Sequence, residues 1–332
     1  MNIFGKKRKE QKTYELIKVP ENANSLTKAW IWYRNYRIKQ KIKKQKPQTF
    51  GETIWSWTKT LVGAIIIVMI INGLLIASFV VPTGSMENTV MTGDFLFVNK
   101  FIYGPSTPQV VPFVNLPLPF YKFPGIKKPE VGDVIVFIYP GDRDEIKSKE
   151  FQYYLKRCVA TAGDTLQIID KKVYVNGKEF PLPEHGQIDY TEPISPYNKW
   201  ETFPPGKGFT RDNYGPIRIP KKGDVIELDQ KNWREWEYFI KKEGHDITFD
   251  GVSILIDNIP AKSYTVQRDY CFGMGDNRDH SSDSRYWGFI PYENVVGTPI
   301  MVYWSWDTNL PLSQIGKKFS SIRWDRIAKF IN

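Results

Sequence analysis

The chain has 332 residues, of which 41% are apolar and 15% aromatic, so it can bury a sizeable core and is not disordered throughout. Its two cysteines, Cys158 and Cys271, are too few for a disulfide-rich scaffold or for a zinc site with four cysteine ligands. The net charge of +10 would suit a nucleic-acid-binding protein, but residues 1–60 hold 15 Lys and Arg against four acids. The other 31 basic and 32 acidic residues leave 61–332 nearly neutral, so the basicity belongs to one terminal segment.

An uncharged apolar run occupies residues 61–81. Its 21 residues would form a helix about 30 Å long, the thickness of the hydrocarbon core of a bilayer. Because a long polar segment precedes the run, it is not typical of a cleavable signal peptide. The sequence therefore predicts a single transmembrane helix at 61–81. The positive-inside rule then places 1–60 in the cytoplasm and 82–332 outside the membrane.

An exported location separates residues 82–332 from ATP and from most nucleic acid. No GxxxxGK[ST] loop is present either, so nucleotide enzymes and nucleic-acid partners are poor candidates. Within the cytoplasmic segment, aromatic and basic residues alternate at 30–46. Two explanations stay open for this stretch: it lies on the anionic inner leaflet, or it is a solvated basic tail.

Short apolar runs replace the helical pattern beyond residue 82, and they are rich in β-branched and aromatic residues. Turn signals separate the runs, among them six Gly-Asp pairs and the hairpin signal Asn176-Gly177. Strands at short spacing without alternating helices predict an all-β domain. The predicted strands lie at 95–98, 134–138, 166–169, 173–175, 225–228, 252–256 and 299–304.

Four further segments stand apart from these strands. Residues 104–129 are rich in Pro, which predicts a rigid extended loop. Residues 229–242 predict a helix with Asp229 as its N-cap. The stretch 178–262 predicts a second, β-rich subdomain. Residues 319–332 suit an amphipathic turn or helix that either touches the membrane surface or packs on the core.

Histidine-based chemistry has little support in the sequence. None of His185, His245 and His280 belongs to an HExxH pair, and no GxSxG elbow is present, so neither a zinc peptidase nor a Ser-His hydrolase is indicated. Three other segments combine a serine, a lysine and an unusually dense group of polar residues. They are PTGSM at 82–86, KRCVATAGD at 156–164 and GDNRDHSSDSR at 275–285.

In this order and behind an apolar run, the three segments resemble bacterial type I signal peptidase, a leader peptidase that uses a Ser/Lys dyad. The matching boxes are PTGSMENTVMTGDFLFVNKFIYG, VGDVIVFIYP, LKRCVATAGD and GDNRDHSSDSRYWGFIP. They span most of 79–300, and 178–262 matches only loosely. The resemblance implies a mainly β protein: a single N-terminal transmembrane helix, an all-β signal-peptidase/LexA-like catalytic domain at 82–318 with an inserted β-rich subdomain, and a candidate amphipathic segment at 319–332.

The resemblance implies that Ser85 is the nucleophile and Lys156 the general base. A lysine acts as a base only when neutral, so its ordinary pKa of about 10.4 must be lowered, and burial among apolar residues would lower it. By the same resemblance, Ser281 orients Lys156, while the Ser85 amide and the Thr83 hydroxyl stabilise the oxyanion. Thr83 replaces the serine of many members but keeps the hydroxyl. The ordinary alternative for Lys156 is a side chain that reaches solvent at a strand end.

Further roles follow from the same match. Charged residues of the last box, and Arg157 with them, are expected to form ion pairs that hold the box in shape; they are Asp276, Arg278, Asp283 and Arg285. Apolar residues beside the serine are expected to form the shallow substrate pockets; they are Phe79, Val81, Met86, Val90, Tyr154 and Leu155. Cys158 and Cys271 either pair outside the cytoplasm or stay as buried thiols.

The sequence is thus interpreted as a serine endopeptidase of the cytoplasmic (inner) membrane that removes signal peptides of the A-x-A type from exported precursors. Acyl-enzyme hydrolysis of this kind needs no cofactor and no metal. Expected partners are the precursors and membrane lipid, with the secretion machinery as a further candidate. One departure is that several family members have two membrane helices before the serine, whereas this chain shows one. Two rivals remain, a LexA-like self-cleaving protease and a tethered β-domain that binds an envelope partner without catalysis.

Overall fold

The computed structural model describes residues 15–20, 24–45, 49–107, 110–111, 116–117, 121–191 and 202–331. The chain forms two compact units, residues 1–66 and residues 67–332. Among the described residues the helices are α1 (Ser25–Gln45), α2 (Phe50–Leu74), α3 (Trp233–Lys242), α4 (Ser284–Trp287) and α5 (Ile315–Ser320).

Most of the regular secondary structure in the described chain beyond α2 is β-strand, which confirms the mainly β fold class. The first nine strands are β1 (Ile76–Val80), β2 (Asp94–Asn99), β3 (Val110–Val111), β4 (Leu116–Pro117), β5 (Val134–Ile138), β6 (Tyr153–Ala160), β7 (Thr165–Ile169), β8 (Lys172–Val175) and β9 (Lys178–Phe180). The next nine are β10 (Tyr214–Arg218), β11 (Val225–Glu227), β12 (Ile247–Phe249), β13 (Ile254–Ile256), β14 (Ile259–Pro260), β15 (Ser263–Thr265), β16 (Tyr270–Met274), β17 (Ile290–Pro291) and β18 (Val295–Ser305).

Helix α2 is the one described helix that is long and apolar enough to cross a membrane. A stretch of 18 residues within it has a mean hydropathy of 1.9, and none of that stretch is buried. The predicted bounds of 61–81 are wrong at both ends, because the helix spans Phe50–Leu74 and residues 76–80 form β1. Asn72 and Gly73, in the last turn of α2, have low helix propensity. The next residues, IASFV, pair with β2 from Ile76↔Asn99 to Val80↔Phe95. Hydropathy alone does not separate an apolar strand from the helix that precedes it.

A seven-stranded sheet in the order β1-β2-β18-β5-β6-β16-β17 forms the body of the second unit. All its pairings are antiparallel. Strand β1 is one edge of this sheet. Strand β6 pairs with β5 from Tyr153 to Arg157, but its pairs with β16 involve Arg157, Cys158 and Ala160. The first half of β6 therefore has a strand on one side only within the described chain.

Apart from the β3-β4 pair, the remaining strands form three smaller sheets, and α3 shares a core cluster with them. Strands β10-β7-β8-β9 form a four-stranded sheet, β12-β13-β14 a three-stranded one and β11-β15 a pair. Because β9 pairs with β8 and β10 with β7, the predicted boundary at 178 does not coincide with a structural boundary. Buried side chains of both regions share one cluster, including Leu166, Ile240 and Phe272.

Several local predictions can be compared with the structure. The hairpin at Asn176-Gly177 is confirmed: both residues have positive φ, 51° and 77°, and they join β8 to β9. The N-cap prediction is wrong, because α3 begins after Asn232 and the Asp229 carboxylate accepts the amides of the preceding turn. Strand β13 begins at Ile254, two residues later than predicted. Of the Pro-rich stretch 104–129, parts lie outside the described residues.

The C-terminal segment packs along β18. Its residue Phe330 bridges to Met301, and Ile331 donates its amide to the Ile300 carbonyl at 3.0 Å. Arg326 makes a buried ion pair with Asp94 of β2, with 2.6 Å between Nη2 and Oδ2. In the described part of this segment, only residues 319 and 320 are α-helical, as the end of α5, and Trp324–Arg326 form a short 3-10 helix. The backbone of this segment therefore packs on the core, which was one of the two alternatives, although the side chains of Phe319, Trp324 and Phe330 stay exposed.

Candidate active site

Ser85 lies in the turn that follows β1. Two backbone hydrogen bonds connect the residue after β1 to the start of β2. The Val81 amide donates to the Asp94 carbonyl, and the Gly93 amide donates to the Val81 carbonyl, each at 2.9 Å. On the other side, Asn277 donates its amide to the Ser85 carbonyl at 3.1 Å. The serine is therefore held between the start of the sheet and the polar segment 275–285.

Lys156 lies in the middle of β6, opposite Ile135 of β5. Its Nζ donates a hydrogen bond to Ser85 Oγ at 2.7 Å. The side chain is 4% exposed, so the alternative of a lysine extending into solvent is wrong. The two residues singled out in the sequence, 71 positions apart, are thus in direct contact.

Burial sets the protonation behaviour of Lys156. Desolvation lowers its pKa to about 8, with Arg285 acting in the same direction and Asp283 and Asp276 opposing. The nitrogen also lies 5.6 Å from the centre of the Tyr154 ring. A lysine of this pKa is partly neutral near pH 7, which an ordinary lysine is not.

Ser281 is brought to the same place, but by a different contact from the one expected. Its Oγ is buried without a hydrogen-bond partner, so the structure does not join it to Lys156. A Cβ on Gly275 would lie 2.2 Å from Ser281 Oγ and 2.5 Å from the Ser85 carbonyl oxygen. The hydroxyl therefore reaches the nucleophile turn only because residue 275 has no side chain.

Two buried ion pairs stand beside the dyad, as expected for the polar box. Arg157 donates Nε and Nη2 to the two oxygens of Asp276 at 2.9 and 2.8 Å. Arg285 pairs in the same two-pronged way with Asp283, at 2.9 and 2.8 Å. Burial by itself would raise the pKa of Asp283, but the Arg285 guanidinium outweighs it and holds that pKa below its ordinary value.

Arg278 does not form the predicted ion pair with any described residue. Its side chain is 3% exposed, and Nε and Nη2 have no hydrogen-bond partner in the described part of the chain. Desolvation lowers its pKa to about 10, and the neighbouring Arg285 adds to the effect. What connects Arg278 to the polar box is its backbone, because its carbonyl accepts Nη2 of Arg285 at 2.6 Å.

An open groove of about 1130 Å³ runs over Ser85 and Lys156. Five of the six predicted pocket residues line it: Phe79, Val81, Met86, Tyr154 and Leu155. Val90 does not, because it is fully buried in the cluster beneath Met86 and Leu96. Thr83 also lines the groove and is exposed.

Sequence reasoning missed other groove residues. Both strand edges contribute, β1 through Ser78 and Val80, and β6 through Tyr153, with Gln152 directly before it. Polar residues of the last box also line the groove, as does Glu87; they are Asn277, His280 and Ser282. The dense polarity of 275–285 was the available signal for the second group. No local signal identifies the first, because it depends on which strand edges stay open.

The cysteines and possible metal ligands complete the picture. Cys158 and Cys271 are both free and buried, which agrees with the thiol alternative. Their hydrogen bond to each other, with burial, raises the pKa of Cys158 well above its ordinary value. Within the described ranges, no group of three or more His, Cys, Asp or Glu side chains is arranged to hold a metal ion.

Comparison with known proteins gives consistent matches. The family described as "Signal peptidase, peptidase S26" matches residues 54–304. Signal peptidase I of Helicobacter pylori (strain J99) is 30% identical over 85% of this chain and 94% of its own. Signal peptidase I of Pseudomonas aeruginosa is 30% identical over 78% of this chain and 77% of its own length. That of Rickettsia bellii (strain OSU 85-389) is 30% identical over 83% of this chain and 84% of its own length.

Proposed function

Because the chain belongs to the signal peptidase family, peptidase S26, we propose that it cleaves signal peptides from exported precursors with Ser85 as nucleophile and Lys156 as general base. The hydrogen bond of 2.7 Å between Lys156 Nζ and Ser85 Oγ carries this assignment. The burial that lowers the pKa of Lys156 to about 8 supports it, because it makes a neutral base accessible near neutral pH.

The reaction follows from this contact. Neutral Lys156 accepts the Ser85 proton while Oγ attacks the scissile carbonyl carbon, and the resulting ammonium returns the proton to the leaving amine. Water, deprotonated by the same lysine, then hydrolyses the acyl-enzyme ester. The Ser85 amide and the exposed Thr83 hydroxyl, both at the groove, are the proposed donors to the oxyanion. Ser281, behind the Ser85 carbonyl, is the proposed positioning residue.

The open strand edges suggest how substrate is held. Strand β1 and the first half of β6 both border the groove, and each pairs with only one strand of the described chain. An extended precursor segment can add to these edges by main-chain hydrogen bonds and place alternate side chains in the apolar wall. The wall of Val81, Met86 and Leu155 suits small side chains, which agrees with the A-x-A pattern.

Membrane placement is the last part of the proposal. We place α2 across the cytoplasmic membrane, with the basic residues before it in the cytoplasm and the catalytic unit outside. The exposed Phe319, Trp324 and Phe330 of the C-terminal segment are candidate contacts with membrane lipid. Precursors carrying signal peptides are the proposed substrates, and the secretion machinery is a proposed further partner.

A cleavage assay with purified protein and a precursor tests the dyad. Ser85→Ala and Lys156→Ala are each expected to abolish cleavage, because the two residues act as one unit in acylation. Ser281→Ala is expected to be milder, because Ser281 positions the dyad and transfers no proton. Readouts are the size and N-terminal sequence of the product.

Matched controls keep the test specific. Ser263→Ala and Lys172→Ala change exposed residues outside the groove and are expected to cleave like the wild type. Wild-type cleavage rates in Ser85→Ala or Lys156→Ala would refute the mechanism, and no cleavage by the wild-type protein would favour a β-domain that binds without catalysis.

A further inference from the structure

Helix α1, within the first unit, has one covered face. The extended residues 15–20 lie on it, because Ile17 donates its amide to Asn35 Oδ1 at 2.9 Å and accepts Asn35 Nδ2 at 2.8 Å through its carbonyl. Ile31, one turn earlier on the same face, is 4% exposed. The face of Ile31 and Asn35 is thus occupied by the chain itself.

The rest of α1 presents large aromatic side chains without cover. Trp32 is 68% exposed and Tyr36 51%, and their rings stack with 5.8 Å between centroids and 13° between planes. Trp30 and Tyr33 are also more than half exposed. Aromatic surface left next to polar groups is typical of a site that contacts a partner or a membrane interface.

Charge identifies the partner. Helix α1 contains seven Lys and Arg and no acid. The guanidinium of Arg34 lies 5.1 Å from the centre of the Trp30 ring, and Arg37 and Lys39 are exposed. Tryptophan and tyrosine favour the headgroup level of a bilayer, while clustered cations attract anionic lipid. Rings and cations on one short helix therefore suit phospholipid headgroups of negative charge.

The chain also places α1 close to a bilayer. Only residues 46–49 separate α1 from α2, and four residues span at most about 14 Å. The first turns of α2 continue the same chemistry, with exposed Trp55 and Trp57 and with Lys59 Nζ 5.0 Å from the Trp55 ring centre. A membrane crossed by α2 therefore lies within reach of α1.

We propose that α1 binds anionic phospholipid headgroups on the membrane surface next to α2, with Trp32 and Tyr36 at headgroup level and Arg34, Arg37 and Lys39 on the phosphates. The inference rests on the proposed crossing of α2 and is independent of the Ser85 chemistry. It resolves the two explanations of residues 30–46 in favour of the lipid surface.

Full-length protein in lipid nanodiscs tests the proposal, since both membrane surfaces are open there and orientation does not matter. An environment-sensitive fluorophore on Gln40→Cys reports the depth of α1 through quenching by spin-labelled lipid. We expect at least twofold stronger quenching with 30% phosphatidylglycerol than with phosphatidylcholine alone, and loss of the difference in 0.5 M NaCl.

Variants separate lipid binding from general charge effects. The triple variant Arg34→Gln/Arg37→Gln/Lys39→Gln is expected to lose the phosphatidylglycerol effect, and Trp32→Ala/Tyr36→Ala to reduce quenching in both lipids. A matched triple variant, Lys172→Gln/Lys231→Gln/Lys262→Gln, removes the same charge from exposed positions of the second unit and should behave like the wild type.

The outcomes distinguish the two proposals. Equal quenching in both lipids, or an unchanged effect in the α1 variant, overturns lipid binding by α1 while leaving the active site untouched. Failure of the protein to enter nanodiscs refutes the α2 crossing and the inference with it. Cleavage of a soluble peptide at wild-type rates in every variant shows that the second unit is intact.

Discussion

At the scale of single residues, the site depends on how one lysine is surrounded. Lys156 sits among apolar side chains and two buried ion pairs, and desolvation has the largest effect on its pKa. Motif similarity was enough to select Lys156 and Ser85, because their boxes are local in sequence. The unpaired guanidinium of Arg278 was not predictable, since the composition of a polar box does not say which charges meet.

Acid should inactivate the enzyme through Lys156. In the proposed mechanism the neutral lysine is the active form, so kcat/KM should fall about tenfold for each pH unit below about 8 and level off above it. Measurement of kcat/KM from pH 5 to pH 10 on a peptide substrate gives the profile.

A histidine base would also make kcat/KM fall toward acidic pH, which is the acidic limb of the profile, and His280 lines the groove. The variant His185→Gln/His245→Gln/His280→Gln is expected to keep the acidic limb near pH 8. Disappearance of the limb in this variant would identify a histidine as the base instead.

At the scale of elements, the groove is the space beside two open strand edges. Strand β18, near the end of the chain, lies between β2 and β5. These three strands stand between β1 and β6 in the order of the sheet. Such long-range pairing leaves no local signal, which is why Ser78, Val80 and Gln152 were missed as groove residues. The apolar identity of the wall was predictable, because those residues flank the catalytic boxes.

The shallow wall should select small residues before the cut. A precursor with Ala directly before the scissile bond should be cleaved, and Leu or Phe at that position should lower kcat/KM at least roughly tenfold, about 1.4 kcal/mol of transition-state binding. Competition between the paired substrates, followed by mass spectrometry, measures the ratio. Equal rates on Ala and Phe substrates would remove the pocket assignment without affecting the dyad.

The C-terminal segment should contribute to stability through its buried ion pair. Arg326→Ala leaves Asp94 without its main cation, although Ser305 Oγ still donates to it at 2.7 Å. We expect a loss of about 3 kcal/mol of unfolding free energy and a thermal midpoint several degrees lower. Lys317→Ala, at an exposed position, is the control, and a midpoint as low as that of Arg326→Ala would show that the ion pair is not the cause.

At the scale of the whole molecule, the features that the sequence predicted best depend on charge and hydropathy along the chain. The charge step at residue 60 and the apolar run located the candidate membrane span. The bounds were wrong because the strand IASFV is as apolar as the helix before it. Pairing with β2 decides its structure, and pairing is not encoded in hydropathy.

Orientation can be tested in intact cells. Protease added to spheroplasts should digest the unit beyond α2 and spare a tag fused before Met1, since the basic segment is expected in the cytoplasm. Lysed spheroplasts, in which both sides are digested, serve as the control. Loss of the tag from intact spheroplasts would reverse the proposed orientation.

The junction of α2 and β1 leaves a single residue, Leu75, between helix and strand. Hydrogen bonds tie this junction to the sheet, from the Lys100 amide to the Leu75 carbonyl at 2.9 Å and from the Ser106 amide to the Gly73 carbonyl at 3.3 Å. If α2 crosses the membrane as proposed, this junction leaves no slack, and Ser85 is expected at a fixed height above the lipid. A signal segment that ends at the same surface then presents only one narrow stretch of its chain at that height. The pockets would choose the type of residue, and the junction would choose how far from the membrane the cut is made.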